Sequence, residues 1–242
     1  MPIVDAPLIA HRGASAVTPE NTLIAVERAA ELGARWIETD VRLTSDGGLV
    51  MIHDDTLHRT TSGSGSVALT PLSQILALDA GAWFGPEFAG TRVPELSDFL
   101  TCILDCGLGL QLELKENFGR EEELVDAVTS VIKDEWPVGD KPLFVSSFSE
   151  RCMRICAKEL PEVPRAIATE FVPCNIVDRL RETQCQIIHF QASCVTEQDF
   201  ATLRAADIEF AVATINEPDT ARAMLSKGAT SVLSDDPMLL DL

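Results

Sequence analysis

Eight short β-rich runs recur along the 242-residue chain, and helical patterns separate them. Parallel strands need crossover connections of a dozen or more residues, which this spacing provides. Eight βα units in about 250 residues is the size of one TIM barrel, and a doubly wound open sheet is the alternative. We therefore predict an α/β fold, a TIM (β/α)8 barrel formed as a single domain by residues 1–242. The eight predicted strands are Leu8–His11, Trp36–Leu43, Leu110–Lys115, Leu143–Phe148, Arg165–Thr169, Gln186–Ala192, Glu209–Ile215 and Ala229–Ser234.

One segment breaks the alternation directly after the second predicted strand. The turn Thr44–Gly48 leads straight into the β-like run Leu49–His53. So short a connection permits a hairpin and not a parallel crossover, so we expect Leu49–His53 to run antiparallel beside the barrel mouth. Residues 54–95 follow with little periodicity, and we predict a small insertion there. Long loops after barrel strands commonly build functional sites.

The acidic balance of the chain excludes several classes of partner. Thirty-eight Asp and Glu oppose nineteen Lys and Arg, which gives a formal charge of −19. Such a surface repels phosphate backbones and anionic bilayers, so we expect no nucleic-acid partner and no stable membrane association. The sequence has no apolar stretch near the ~20 residues of a membrane span, and its first ten residues contain no Lys or Arg. We expect a cytoplasmic protein that is a monomer or a small homo-oligomer.

The cysteines fit the same compartment. The chain has seven, and Cys102/Cys106 and Cys152/Cys156 form C-x3-C pairs in helical, apolar surroundings. The sequence has no histidine at a zinc-finger offset from either pair. We therefore predict reduced cysteines that act as small hydrophobic side chains.

Three acidic residues fall where neighbouring strands end. Glu38 and Asp40 are two apart on the second strand, so both point to one face with Cα atoms ~6.6 Å apart. Glu113 lies on the next parallel strand, and polar side chains at strand carboxyl ends face the mouth of a barrel. Unpaired, the three carboxylates would repel one another, and a hard divalent cation removes that repulsion. We predict one divalent ion, Mg²⁺ or Ca²⁺ with Mn²⁺ as a further option, bound by these three side chains.

Two histidines and two cations flank the acidic residues. His11 ends the first strand, His53 ends the hairpin, and Arg12 and Lys115 are close in sequence to strand ends. A histidine at a strand end is often only structural, and an isolated acidic pair is often only solvated. Together with a metal, however, two histidines and two cations are what metal-assisted phosphodiester cleavage requires.

Other polar residues have plainer interpretations. Thr18-Pro19 predicts the start of the first helix, with Glu20 and Asn21 among its first residues. Contact with the site is the lesser alternative for Asn21. Asp235 is as compatible with a helix N-cap as with the rim of a pocket. His189 lies centrally in an apolar strand, so we expect a core or pocket-wall residue that does no chemistry.

A series of motifs resembles the glycerophosphodiester phosphodiesterase family over nearly the whole chain. The most specific motifs are His11-Arg12-Gly13, Pro19–Thr22, Glu38–Val41, Asp46-Gly47 and His53-Asp54. The resemblance continues through Asp79–Gly81, Trp83-Phe84, Val93-Pro94, Glu113–Lys115, Ser146–Phe148, Thr214–Asn216 and Ser234–Pro237. The chain is most similar to the short cytosolic bacterial enzymes, which consist of the catalytic barrel alone.

This resemblance implies a fold, a reaction and a set of roles. It implies a TIM barrel with a small insertion that hydrolyses glycerophosphodiesters, such as glycerophosphocholine or glycerophosphoethanolamine, to glycerol 3-phosphate and an alcohol. By position, the resemblance gives the divalent metal to Glu38, Asp40 and Glu113, acid–base catalysis to His11 and His53, and phosphate binding to Arg12 and Lys115. The alternatives are a lysophospholipase D-like activity on lysophospholipids and, more remotely, a catalytically silent barrel that binds a phosphodiester.

One position departs from the family pattern. Ala213 stands where the family usually has an aromatic residue, just before the Thr-x-Asn of the seventh strand, and the chain contains no tyrosine. The usual aromatic wall beside the glycerol is thus missing at this position. Trp83, Phe84, Phe148 and Phe190 are the candidates to supply one.

Overall fold

Eight parallel strands close into a barrel in the computed structural model, which describes residues 2–240. The first strand pairs with both the second and the last, so the sheet is closed and the open-sheet alternative is wrong. The prediction of a TIM barrel is confirmed. The barrel strands are β1 (Leu8–His11), β2 (Trp36–Leu43), β4 (Gly109–Leu114), β5 (Leu143–Ser147), β6 (Arg165–Ala168), β7 (Ile187–Gln191), β8 (Glu209–Ala213) and β9 (Ser231–Ser234), and β3 (Leu49–Met51) is an additional short strand.

Helices follow the barrel strands and pack their apolar faces on the outside of the sheet. On α3, for example, Phe99, Leu100 and Ile103 are completely buried against the barrel. Within residues 2–240, no helix is both long enough and apolar enough to cross a membrane. The helices are α1 (Leu23–Glu31), α2 (Leu72–Ile75), α3 (Leu96–Cys106), α4 (Glu121–Glu135), α5 (Glu150–Glu159), α6 (Ile176–Thr183), α7 (Glu197–Ala205) and α8 (Pro218–Ser226).

Apolar side chains fill the lower half of the barrel interior. Trp36 and Phe144 meet there with ring centroids 5.7 Å apart. The Trp36 ring needs the absence of a side chain on β4, because a Cβ at Gly109 would lie 2.6 Å from it. The polar residues that line the cavity lie in the layer above these rings, next to the mouth, where barrel enzymes place their chemistry.

The hairpin after β2 is antiparallel, as predicted. Val41 pairs with Met51, and β3 thereby extends the sheet beside the mouth. Two short 3-10 turns, Val67–Leu69 and Pro86–Phe88, and the short helix α2 lie between β3 and α3. Apolar side chains of this segment form their own small cluster with β3, which keeps it folded against the barrel: Val50, Ile52, Leu57, Val67, Ile75, Ala80 and Val93.

The predicted start of the first helix is wrong by four residues. Helix α1 begins at Leu23, and its N-cap is Thr22, whose hydroxyl accepts a hydrogen bond from the backbone N–H of Ala25. Thr18 instead donates its hydroxyl to the carbonyl of Ala14. The chain cannot be helical through Asn21, because that residue has a φ of 55°, in the left-handed region.

Candidate active site

Strands β2 and β4 bring the three predicted carboxylates together. Asp40 and Glu113 are paired in register on neighbouring strands, and Glu38 lies two residues before Asp40 on the same face. One oxygen of each carboxylate lies within 4.8 Å of the others. Glu38, Asp40 and Glu113 are only 1%, 1% and 8% exposed. The strand alternation read from the sequence is therefore enough to place the acidic cluster.

The charges around the cluster leave the carboxylates only partly compensated. Burial and the charges of Asp40 and Glu113 raise the pKa of Glu38 well above its usual value. Burial also raises the pKa of Glu113. At Asp40, burial acts in the same direction, but Lys115 and Arg12 outweigh it and lower the pKa below its usual value. Three buried carboxylates that face two cations fit a hard divalent ion, since oxygen ligands and excess negative charge are what such ions require.

Asn21 belongs to this cluster, although the sequence favoured a helix-start residue. Its amide nitrogen donates to Asp40 Oδ2 at 2.9 Å. Its amide oxygen accepts from the hydroxyl of Thr39 at 2.7 Å and from the backbone N–H of Asp40 at 3.2 Å. The left-handed backbone of Asn21 thus turns the side chain onto β2, where it fixes the Asp40 carboxylate.

Arg12 and Lys115 contact the acidic cluster from two different strand ends, since Arg12 follows β1 and Lys115 follows β4. Lys115 Nζ lies 3.2 Å from Asp40 Oδ1 and also hydrogen-bonds Glu113. Arg12 Nε lies 3.4 Å from Asp40 Oδ2. Burial alone would lower the pKa of Lys115, but the charges of Asp40 and Glu113 outweigh it and raise the pKa above its usual value. The ammonium therefore stays charged. Both cations are therefore available to an anionic ligand at this point.

Each of the two predicted histidines is held by a carboxylate. His11 Nδ1 lies 2.6 Å from Asp235 Oδ1, and its Nε2 lies 3.9 Å from Glu38 Oε2. His53 Nδ1 lies 2.8 Å from Asp54 Oδ1. A carboxylate at Nδ1 fixes the ring and its tautomer, which leaves Nε2 for proton transfer.

Asp235 stays ionised beside His11. Burial acts to raise the pKa of this carboxyl, but hydrogen bonds from His11, Asn216 and Ser15 lower it to about 2. Asn216 Nδ2 donates to Asp235 Oδ2 at 2.7 Å. The sequence left open whether Asp235 is a helix N-cap or lies at the rim of a pocket. Its contact with His11 supports a residue at the site.

Arg59 connects the two halves of the site from within the insertion. Its guanidinium donates to both carboxylate oxygens of Glu20 at 2.7 and 2.8 Å. It also donates to both oxygens of Asp54 at 2.7 and 2.9 Å. Glu20 in turn accepts from Arg12 at 2.8 Å. One arginine thus holds the partner of His53 and the partner of Arg12, and sequence reasoning missed it.

All seven predicted site residues line one cavity of about 370 Å³ at the barrel mouth. The opposite wall comes from β6, β7 and β8 and contains Ala168, Phe190 and Ala213. Of the four aromatic candidates, Phe148 and Phe190 line the cavity as the described residues define it, and Trp83 and Phe84 do not. Phe148 is half-exposed, and its ring lies 5.5 Å from Lys115 Nζ. The cavity therefore has one charged wall and one uncharged wall.

Comparison with known proteins finds one family along nearly the whole chain. The family model described as "Glycerophosphoryl diester phosphodiesterase family" matches residues 11–239. A glycerophosphodiester phosphodiesterase of Caldanaerobacter subterraneus subsp. tengcongensis is 33% identical over 241 residues, which cover 96% of this chain and 95% of the relative. The residues matched by the family model include every side chain of the charged wall.

Solved structures match the barrel closely. A phosphodiesterase of Oleispira antarctica, in complex with the product sn-glycerol-3-phosphate, superposes with a TM-score of 0.95 at 36% identity over 98% of this chain and 95% of its own. A glycerophosphodiester phosphodiesterase of Agrobacterium tumefaciens superposes with a TM-score of 0.80 at 29% identity, over 97% and 98% of the two chains. The similarity thus extends over nearly the full length of each protein.

Proposed function

The chain belongs to the glycerophosphoryl diester phosphodiesterase family, and from that premise we propose that it hydrolyses glycerophosphodiesters with a divalent metal and two histidines. The products would be glycerol 3-phosphate and an alcohol. One observation supports this above the others. Three carboxylates with oxygens within 4.8 Å of one another, two carboxylate-held histidines and two cations all line a single cavity.

Glu38, Asp40 and Glu113 would hold the metal ion. Mg²⁺, Ca²⁺ and Mn²⁺ all accept a set of carboxylate oxygens. When bound, such an ion polarises a phosphoryl oxygen and neutralises part of the charge that develops there.

The other side chains of the site bind the phosphate and transfer protons. Arg12 and Lys115 hold the phosphate through its non-bridging oxygens. His11 Nε2 accepts the proton of the nucleophile, and His53 Nε2 delivers a proton to the oxygen of the departing alcohol. The nucleophile is water, or the 2-hydroxyl of the substrate's own glycerol, in which case a cyclic phosphate forms and water opens it. Asp235 keeps His11 oriented, and Asp54 keeps His53 oriented.

A panel of substrates tests this function directly. Glycerophosphocholine and glycerophosphoethanolamine are incubated with the protein and Mg²⁺, Ca²⁺ or Mn²⁺, and glycerol 3-phosphate is measured. We expect glycerol 3-phosphate from both substrates, with the free alcohol as the other product. Release of a phosphoalcohol in place of glycerol 3-phosphate would contradict the proposed bond cleavage. Absence of turnover with every metal would favour the silent phosphodiester-binding barrel.

A lysophospholipid substrate is a second candidate because exposed aromatic side chains follow three of the barrel strands. Phe118, Phe148 and Phe171 follow the neighbouring strands β4, β5 and β6, and all three are exposed. Phe118 projects completely into solvent. Exposed aromatic residues grouped at a site entrance are suited to an acyl chain.

We nevertheless expect kcat/KM for glycerophosphocholine to exceed that for lysophosphatidylcholine. The cavity of about 370 Å³ fits a small polar phosphodiester, and its charged wall offers two cations to the phosphate. Parallel assays with both substrates, below the critical micelle concentration of the lipid, measure the ratio. Phe118→Ser and Phe171→Ser should leave it unchanged, with Leu69→Ser as an exposed control in the insertion. A selective loss of activity on the lipid in the two phenylalanine variants would establish the second candidate.

Arg59→Ala is expected to lower kcat/KM by about ten- to a hundredfold, the usual effect of removing a residue that orients groups in the site. The substitution frees Asp54 beside His53 and Glu20 beside Arg12 at the same time. Steady-state kinetics on glycerophosphocholine measure the loss. Arg92→Ala is the matched control, because Arg92 lies in the same insertion and its guanidinium donates to the backbone carbonyl of Ala77. An Arg59→Ala enzyme as active as the control would show that the role of Arg59 is only structural.

The cellular setting and the assembly state also stay predictions. All seven cysteines are free in the structure, which is consistent with a cytoplasmic protein. We propose a monomer or a small homo-oligomer that acts on a dissolved small molecule.

A further inference from the structure

A group of polar side chains forms the floor of the cavity, where Gln111 is paired in register with Glu38 on the neighbouring strand. Gln111 lies on β4 two residues before Glu113, and His189 lies on β7 across the barrel. Gln111 Nε2 is 3.0 Å from His189 Nδ1 and 3.1 Å from Ser146 Oγ. Gln111 and His189 are 1% and 4% exposed, and both line the cavity. The mechanism above uses neither residue.

The floor has unmet hydrogen-bonding capacity. Within residues 2–240, His189 Nε2 and Gln111 Oε1 are buried and have no hydrogen-bond partner. Buried polar atoms are almost always paired in folded proteins, so two neighbouring residues with such atoms in a cavity floor point to a ligand. The layer below is closed by apolar rings, since Phe144 meets the His189 ring edge-on at 5.6 Å.

The chemistry of the missing partner follows from the protonation state of the floor. Burial lowers the pKa of His189 to about 3, so the ring is neutral and has one donor and one acceptor nitrogen. If the Gln111 amide donates to Nδ1, a donor remains at Nε2 of the ring and an acceptor remains on the amide. If the amide is reversed, the two roles are exchanged. In both cases the floor offers one donor and one acceptor, and a hydroxyl group can satisfy both.

The adjoining wall is uncharged. Among the described residues that β6, β7 and β8 contribute to the cavity, none bears a charge once His189 is neutral. Ala168 and Ala213 also leave space there that larger side chains would fill. The ligand group on this side is therefore uncharged and hydroxylated, while its anionic group is drawn to Arg12 and Lys115 on the other wall.

We propose that Gln111 and His189 form a hydroxyl subsite that binds the glycerol arm of the phosphodiester at the cavity floor. This inference rests on the proposed function, because it takes the ligand to be a glycerol phosphate ester. The two residues are specificity-determining, and the subsite explains how a pocket without an aromatic residue at position 213 orients its substrate. A site built to hydrogen-bond a hydroxyl discriminates against analogues that lack it.

Binding of two matched probes tests the subsite without relying on turnover. Glycerol 3-phosphate and n-propyl phosphate differ in the two hydroxyl groups, and calorimetry in the presence of a saturating divalent metal gives Kd for each. We expect the wild type to prefer glycerol 3-phosphate. Gln111→Met and His189→Phe should each reduce that preference by about tenfold, the effect of losing one or two neutral hydrogen bonds, with Kd for n-propyl phosphate little changed.

Controls separate the subsite from general damage and from failure of the proposed reaction. Gln198→Met changes an exposed glutamine on α7, outside the cavity lining given by the described residues, and should leave the preference intact. If His189→Phe does not fold, Gln111→Met alone decides the matter. Equal weakening of both probes in the variants, or no change in their ratio, would overturn the subsite. An inactive wild type that still prefers glycerol 3-phosphate would refute the proposed reaction and leave the subsite standing.

Discussion

His11→Ala and His53→Ala are each expected to lower kcat by about 10²–10⁴-fold, the usual contribution of a general acid or base. Both barrels should remain folded, because the side chains of His11 and His53 are 15% and 33% exposed and neither belongs to the hydrophobic core. Steady-state release of glycerol 3-phosphate measures the effect, and thermal unfolding verifies the fold. His58→Ala is the control, since that histidine is exposed and lies outside the cavity lining given by the described residues.

The leaving group distinguishes the two roles. In a glycerol phosphodiester of p-nitrophenol, the p-nitrophenolate leaves without needing a proton. His53→Ala should therefore lose far less activity on this substrate than on glycerophosphocholine. His11→Ala should remain impaired on both substrates, because the nucleophile still has to be deprotonated. Recovery in the His11 variant in place of the His53 variant would reverse the assignment. Full activity of either variant on glycerophosphocholine would remove that histidine from the mechanism.

The fold could be predicted from the sequence because its signal is local and repeated. Each barrel strand is a short β-rich run, and the hairpin follows from the few residues between β2 and β3. Five of the eight predicted strands extend one or two residues too far at their carboxyl ends, as at Lys115 and Phe148. There the chain leaves the sheet to build the mouth, and composition alone does not mark that point. The helix start at Thr22 was missed because Asn21 adopts a left-handed conformation to reach Asp40.

The site could be predicted only in part, for a related reason. Strand alternation and the motifs locate residues that share a strand face, such as Glu38 and Asp40. The residues that orient them depend on contacts between distant parts of the chain. Asp235 meets His11 across 224 positions of sequence, and Arg59 meets Glu20 across 39. No periodicity or spacing reports such pairs, so they emerge only when the side chains are placed.

Removal of the divalent metal is expected to lower kcat at least about a hundredfold, because such an ion stabilises the charge of the transition state by several kcal/mol. Exhaustive chelation followed by titration with Mg²⁺, Ca²⁺ or Mn²⁺ measures this loss and its recovery. Glu38→Gln, Asp40→Asn and Glu113→Gln should prevent the recovery at metal concentrations that saturate the wild type. Activity that survives chelation would exclude the metal from the reaction.

A stability measurement tests the same ion independently of activity. Metal at about one hundred times its Kd stabilises a folded protein by ~2.7 kcal/mol, which for a chain of this size raises Tm by roughly 5–10 °C. Glu38→Gln should abolish that rise. Without metal, the same variant should be at least as stable as the wild type, because Glu38 is buried beside Asp40 and Glu113 and repelled by both. Glu122→Gln, on the exposed face of α4, should change neither value. A Glu38→Gln protein that is destabilised without metal and still gains stability from it would show that the carboxylate supports the fold and not the ion.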